Sequence, residues 1–308
     1  MIIIPVCFNK YKMTLNATWT LNDFTGIFVL QKGKYGEVFT GIDTKTGIRY
    51  AIKKILKKVN VPEYSFKNEL DIHSQLDHPN IIKVYGHFED DSYNYMVMEY
   101  ASHTDLITSN FSLCRYNEKE TSKIIKCLLN VILYLHNKGI VHNDIKMENL
   151  LLTENGCIKL CDFGLSVQTD NIKTWTSSKF CGTLQYIAPE KFTYGTYSYM
   201  VDVWSVGCVA YELYCLRSAF RCLTKDETIR KIVFGNVTLP DTMSSTFMSF
   251  IFRLLDKDFT TRMTIEGALQ HLFITDDANT PCVSPRGPST LSFTISCDSN
   301  ASTVYQTS

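Results

Sequence analysis

No stretch of this 308-residue chain approaches the ~20 consecutive apolar residues that a membrane-spanning helix needs. The apolar opening, Met1 to Val6, is short and is followed by Asn9, Lys10 and Lys12. A secretory leader carries its basic residues first and has a longer apolar run. An excess of either charge is also missing. Lys and Arg number 31, as do Asp and Glu, so bulk charge draws the chain to neither nucleic acid nor a membrane surface. The 11 cysteines are odd in number and none forms a CxxC pair, which fits free thiols in a reducing compartment rather than a disulfide framework. Cys157 and Cys161 lack the second ligand pair of a zinc finger. The string Gly-x4-Gly-Lys-Ser/Thr is absent, which removes the P-loop class of nucleotide site. The expectation is a soluble intracellular protein of the cytoplasm and/or nucleus, in which the Asn16-Ala17-Thr18 triplet bears no glycan.

No internal repeat organises the chain, but its character changes along its length. Residues 1–22 read as a flexible N-terminal arm. From Phe24 to about Tyr100 come short β-type runs: Phe28–Leu30, Glu37–Thr40, Arg49–Ile52 and Tyr95–Met98. One helix interrupts them, with Phe66, Leu70, His73 and Leu76 on one face and His78-Pro79-Asn80 as its stop. Beyond Asn117, Ile124, Leu128, Val131 and Leu135 form a helical stripe ended by Gly139. Residues 201–216 are apolar nearly all round and predict a buried helix. A last helix carries Ala268 and Leu269 and ends near Phe273. The Ser/Thr-rich residues 276–308 read as a disordered tail. The expected fold is α+β: one domain over 23–275, with a small β-rich lobe (23–100) and a larger helical lobe (101–275).

Five charged or polar residues, each in its own short motif, punctuate this domain. Lys53 ends Tyr50-Ala51-Ile52-Lys53, and Glu69 lies on the first helix. Asp144 and Asn149 belong to His142-Asn143-Asp144-Ile145-Lys146-Met147-Glu148-Asn149, and Asp162 opens Asp162-Phe163-Gly164. In this order and spacing the set resembles the protein-kinase signature. Alone, Lys53 on its alternating strand would simply face solvent, and Gly33 and Gly36 would mark a hairpin turn.

The resemblance implies a two-lobed kinase fold that uses ATP and Mg²⁺. Gln31-Lys32-Gly33-Lys34-Tyr35-Gly36-Glu37-Val38 stands for the Gly-rich loop, with Gln31 where the family has its first glycine. Lys53 would bond the phosphates and pair with Glu69. Asp144 would accept the substrate hydroxyl proton, Lys146 would reach the transferring phosphate, and Thr183 would brace the same loop. Asn149 and Asp162 would bind the metal. Leu30, Val38, Ala51, Met98, Glu99, Ala101 and Leu151 would surround the nucleotide with Gly33, Gly36 and Lys53, and Asp105 would contact the ribose. Lys146 and Thr183 imply serine/threonine rather than tyrosine specificity. Asp202 would tether the catalytic loop, and Glu190 of Ala188-Pro189-Glu190 would pair with Arg262.

The string Asp71–Phe88, the segment Met98-Glu99-Tyr100-Ala101 and Phe180-Cys181-Gly182-Thr183-Leu184 look most like the Aurora-type kinases. His73 falls where Aurora-type kinases place Gln in an internal spine; a partly exposed helix histidine is the other reading. Two departures occur together. His142-Asn143-Asp144 replaces His-Arg-Asp, and Lys179 stands where the activation-loop threonine would be. Either the phosphate switch has been lost from an active enzyme, with Lys179 approaching a local carboxylate, or the chain is a pseudokinase scaffold. Retention of all the catalytic residues favours the active enzyme. Glu148 and Glu212 match positions that bind basic residues upstream of the acceptor. The implied partners are protein substrates with Ser/Thr near basic residues and a regulatory protein on the N-lobe.

Overall fold

The computed structural model describes residues 19–33, 36–57, 65–101, 116–153, 158–173, 175–194 and 197–276. Five antiparallel strands form the first lobe: β1 (Phe24–Lys32), β2 (Gly36–Asp43), β3 (Arg49–Leu56), β4 (Val84–Glu89) and β5 (Tyr93–Glu99), in the order β1-β2-β3-β5-β4. Side chains alternate between the sheet's two faces. One face buries Phe39, Tyr50, Ile52, Tyr95 and Val97 in a cluster with Trp19 and Phe24. Met96 and Met98 lie on the other face, clustered with Ile82 and Val84, and Phe66, Leu70, Ala101, Leu151 and Cys161 pack against them.

Trp19 corrects the expectation of a flexible arm over 1–22. It is buried, packs against Phe24 and Tyr50, and donates its indole N–H to Asp43 at 3.3 Å. Leu21–Asp23 then form a 3₁₀ turn leading into β1. The physical reason is that one face of the sheet would otherwise leave aromatic rings in water. Residues 1–18 and 277–308 lie outside the described residues.

Helix α1 (Phe66–His73) starts at Ser65, whose hydroxyl accepts from the Asn68 N–H, and stops at His73, earlier than the stripe to Leu76 suggests. Leu76 is still buried, but from the following loop. In the second lobe α2 (Glu118–Asn137) opens with a reciprocal capping box between Asn117 and Glu120, and Gly139, at φ 70°, follows its end. Two short antiparallel pairs, β6 (Ile140–Val141) with β9 (Val167–Gln168) and β7 (Leu150–Leu152) with β8 (Ile158–Leu160), carry the loops of the cleft. Helix α3 (Glu190–Thr193) precedes α4 (Met200–Cys215), in which every residue except Glu212 is buried. Around it lie α5 (Lys225–Phe234), α6 (Ser245–Leu254), α7 (Ile265–Leu269) and α8 (Leu272–Thr275). The last two replace the single final helix expected from the sequence; His271 breaks it and caps α8 with its ring nitrogen.

The expected two-lobed α+β architecture is therefore present. The lobes meet through Ile82 N–H to Leu160 C=O (3.0 Å), Leu160 N–H to Asn80 C=O (2.8 Å) and a Lys159–Glu99 ion pair at 2.9 Å. Among the described residues no helix is long and apolar enough to cross a membrane.

Candidate active site

Strand pairing places Lys53 between Val38 of β2 and Met96 of β5, and Ala51 opposite Met98. Lys53, two residues from Ala51, therefore stands on the face of the sheet that Met96 and Met98 share. Its ammonium meets Glu69 Oε1 at 2.6 Å and Asp162 Oδ1 at 2.8 Å. Glu69 is buried, so its charge needs this partner. Burial works to raise the Asp162 pKa, but the Lys53 charge and hydrogen bond outweigh it and hold the carboxyl below its usual range. Asp162 adopts φ 63°, a left-handed conformation uncommon outside glycine, and its Oδ1 accepts from Gly164 N–H.

Asp144 is gripped on both carboxylate oxygens. Oδ1 accepts from the Thr183 N–H (3.0 Å) and hydroxyl (2.9 Å), and Oδ2 accepts from Lys146 at 2.6 Å. Lys146 also donates to the Thr183 hydroxyl at 3.0 Å. Burial acts to lower the Lys146 pKa, yet the adjacent Asp144 charge more than offsets it and the pKa lies above normal. Asn149 donates to the Asp144 C=O at 2.8 Å, leaving its carboxamide oxygen as the ligand atom it has to offer. Of the expected catalytic set, Lys53 and Glu69 meet in one cluster with Asp162, and Asp144, Lys146 and Thr183 in another.

The match to known sequences agrees with this geometry. Residues 27–274 match the protein kinase domain family. This chain belongs to the protein kinase family. It is 34% identical over 264 residues to the Aurora kinase of Encephalitozoon cuniculi, across 83% of this chain and 95% of that protein. The Aurora kinase of Debaryomyces hansenii is 35% identical over 258 residues, covering 83% of this chain and 63% of that one. The serine/threonine-protein kinase PLK4 of Xenopus tropicalis is 35% identical over 266 residues, covering 83% and 28%. The chain thus spans just under two thirds of the Debaryomyces relative and less of PLK4. It is a member of the family close to the Aurora type.

Kinase domains in general use ATP and Mg²⁺, and the residues here fit both. Asp162 and Asn149 supply hard oxygen atoms, and Mg²⁺ is commonly held by one or two protein ligands together with substrate phosphates. Accordingly, no cluster of three His, Cys, Asp or Glu able to hold a metal occurs among the described residues. Val38, Ala51 and Met98 lie in paired strands, with Ala101 and Leu151 packed on the Met98 cluster and Leu30 half exposed near the end of β1. Glu99 turns its side chain elsewhere, to Lys159 and to the Lys83 N–H. Asp105 lies outside the described residues. Gly36 has a structural reason to be glycine, because a Cβ there would stand 2.0 Å from the Lys54 carbonyl oxygen. Gly33 has ordinary space around it and closes the loop by donating to the Gly36 carbonyl.

The support beneath the site follows the sequence reading. Asp202 accepts from the His142 and Asn143 N–H groups and pairs with His136, each at 2.9 Å. Burial would raise its pKa, but the His136 hydrogen bond and charge keep it low. Arg262 forms a bidentate pair with Glu190 at 2.7 and 2.8 Å, both residues fully buried. His73 resolves in favour of the spine reading. It is 1% exposed, its ring lies 4.4 Å from that of Phe163, and Phe163 in turn meets His142 at 4.9 Å.

Two residues of the site escaped the sequence reading. His136 ends a helix stripe in which only apolar positions attract notice. Lys191 follows Ala188-Pro189-Glu190 and is buried, with its ammonium on the Asn143 side-chain oxygen at 3.4 Å. Its one sequence signal is a charge beside a motif otherwise flanked by apolar residues. Lys179, the expected cation of this region, is exposed and donates its backbone N–H to the Ser177 hydroxyl.

Proposed function

We propose that this chain is a magnesium-dependent protein serine/threonine kinase that transfers the ATP γ-phosphoryl group to protein Ser or Thr hydroxyls. The observation that carries this reading is the Asp144 carboxylate, oriented on both oxygens by Thr183 and Lys146. Phosphoryl transfer asks for positioning and charge stabilisation more than covalent help. Asp144 orients the acceptor hydroxyl and takes its proton. Lys146, next to Asp144, meets the transferring phosphoryl group. Lys53 holds the nucleotide phosphates and is itself aimed by Glu69. Asp162 and Asn149 would hold Mg²⁺, which would supply neutralisation of the phosphate charge. A scaffold without catalysis would not need all seven of these side chains held in this arrangement.

Substrates with basic residues upstream of the acceptor fit best. Glu148 Oε2 is buried and has no hydrogen-bond partner among the described residues. Glu212 accepts from the Tyr186 hydroxyl. Burial raises its pKa, the Tyr186 hydrogen bond opposes this, and the Glu148 charge adds to the rise. Two mutually repelling carboxylates beside the catalytic loop are relieved by an incoming cation. A peptide array should show a basic preference that drops about tenfold in Glu148→Gln/Glu212→Gln with the KM for ATP unchanged. A proline-directed array, or one without basic bias, would remove this specificity.

Activity also stands without activation-loop phosphate, since the sequence has neither arginine at 143 nor threonine at 179. Phosphatase treatment should leave the rate within about twofold, a barrier change under ~0.5 kcal/mol. Loss of most activity would instead mark Thr176 or Ser178 as the switch. Cys161, Cys181, Cys208 and Cys222 are free thiols, which suits the reducing interior of a cell.

A further inference from the structure

Lys191 is a buried lysine, 6% exposed, with no carboxylate partner in its first contacts. Such a charge is costly unless its hydrogens are used. Here the ammonium reaches three groups from three parts of the fold. It donates to the Asn143 side-chain oxygen at 3.4 Å, in the catalytic loop. It donates to the Cys181 carbonyl at 3.3 Å, in the segment leading to Thr183. It also lies 4.0 Å from the ring centroid of Tyr197, within range for a cation–π contact.

Each of these partners is itself an anchor. Asn143 donates its amide to the Leu165 carbonyl at 3.3 Å, just beyond Asp162-Phe163-Gly164. Tyr197 pairs through its backbone with Ser177, at 3.0 and 2.9 Å, and its hydroxyl is 3.7 Å from the Cys181 thiol. Gly182 lies so close to the catalytic loop that a Cβ would stand 3.0 Å from the Asn143 carbonyl oxygen, and its φ of 105° suits only glycine. The start, middle and end of the segment from Leu165 to Thr183 therefore converge on one ammonium group and its immediate partners.

We propose that Lys191 is a positioning residue for the transfer reaction: its buried ammonium pins the activation segment to the catalytic loop, giving this kinase a permanent internal cation where a phosphate clamp would otherwise be needed. The inference rests on the phosphate-independent reading above and names its device. Lys191 acts through Cys181 and Asn143 on Thr183 and Asp144, and touches neither nucleotide nor metal ligands.

The test uses the full chain and three variants, each measured before and after phosphatase treatment. Lys191→Met keeps length and apolar bulk but removes the charge. It should lower kcat/KM for a basic peptide about tenfold or more while the KM for ATP stays within about twofold. Trypsin cleavage at the exposed Lys173 and Lys179 should speed up about fivefold or more, because the loosened segment opens more often. Lys191→Arg should restore both readouts to within about threefold of wild type. Asn143→Ala, which keeps the lysine and removes one acceptor, should shift both in the same direction by less, and it serves as the test if Lys191→Met does not fold. Wild-type cleavage and peptide kinetics in Lys191→Met, or in Asn143→Ala where only that variant folds, overturn the inference. Phosphatase sensitivity of the wild-type enzyme overturns the phosphate-independent reading instead, so the two failures are separate results.

Discussion

Acid should destabilise this kinase domain through His73. Its Nε2 lies 2.6 Å from the Ile82 carbonyl, so that nitrogen carries the hydrogen of the neutral ring and donates it. Nδ1 has no partner among the described residues and is buried. A second proton would have to go to Nδ1, making a buried donor with no acceptor. Burial therefore lowers the His73 pKa from 6.5 to about 4; the Ile82 hydrogen bond and the Asp162 charge oppose the fall, while Lys53 and His142 reinforce it. The unfolded chain takes up the proton first. The stability contributed by neutral His73 is thus complete above about pH 6.5 and is lost as the pH falls towards 4. Between those limits it amounts to about 3 kcal/mol, and from pH 7.5 to 5.0 to about 2 kcal/mol. For a domain of this size that is roughly 4–8 °C of melting temperature.

The comparison is with His73→Gln, whose amide can still donate to Ile82 but does not titrate. Melting curves of both proteins across that pH range separate His73 from His142, His78 and His271, which titrate in both. Wild type should fall by roughly 4–8 °C more than the variant. The slope decides the matter, since Gln also changes the packing on Phe163 at every pH. Parallel curves for the two proteins would refute the argument.

Three further outcomes are expected, two at the site and one in the sheet. Asp144→Asn should lower transfer by about 10²–10⁴-fold with ATP binding retained; wild-type turnover would remove Asp144 from the mechanism. Lys53→Met and Asp162→Asn should each lose the magnesium-dependent stabilisation by ATP, which at a hundredfold excess over Kd is about 2.7 kcal/mol in wild type; an unchanged thermal shift in both would count against this nucleotide site. Trp19→Ala should destabilise the domain by about 3 kcal/mol or more, because it empties the aromatic cluster on the outer face of the sheet; a urea midpoint within error of wild type would return residue 19 to a loose arm.

The sequence made the chemistry more legible than the packing. Lys53, Glu69, Asp144, Asn149 and Asp162 each announce themselves by a local string, and Asp202 by being a charge inside an apolar helix. What did not show were residues that lie outside any motif and owe their role to a distant partner. Trp19 follows a polar run with no periodicity, and only its contacts with Phe24, Tyr50 and Asp43 explain its burial. Strand β4 alternates over Val84–Glu89 but contains a glycine, and Gly86 is where the Trp19 ring sits, 2.9 Å from a would-be Cβ. Helix α5 buries only Thr228 and Ile232, too narrow a face to show as a stripe. Helix α6 did carry a readable pattern in Phe247, Phe250, Ile251 and Leu254, all buried at i, i+3, i+4 and i+7 spacing. Lys191 was the hardest of these, because a lysine is ordinarily read as a solvated charge.

The anchors that set the catalytic geometry share one property. Asp202 holds the His142 and Asn143 backbone, Thr183 and Lys146 hold the Asp144 carboxylate, and Lys191 joins Asn143 to Cys181. The same network reaches the other lobe, where Asn68 of α1 donates to the Ser166 carbonyl at 3.0 Å and Gln75 bonds Gln168 at 2.9 Å. Each of these contacts is made by an unmodified side chain or backbone group. A segment ordered by phosphate gains its order only when the charge arrives. A segment ordered by a buried lysine and a tethered asparagine is assembled on folding. Under the proposed phosphate-independent function, control of the kinase domain falls on what moves the lobes, the Lys53–Glu69 pair or access to the peptide groove, rather than on the charge state of the activation segment.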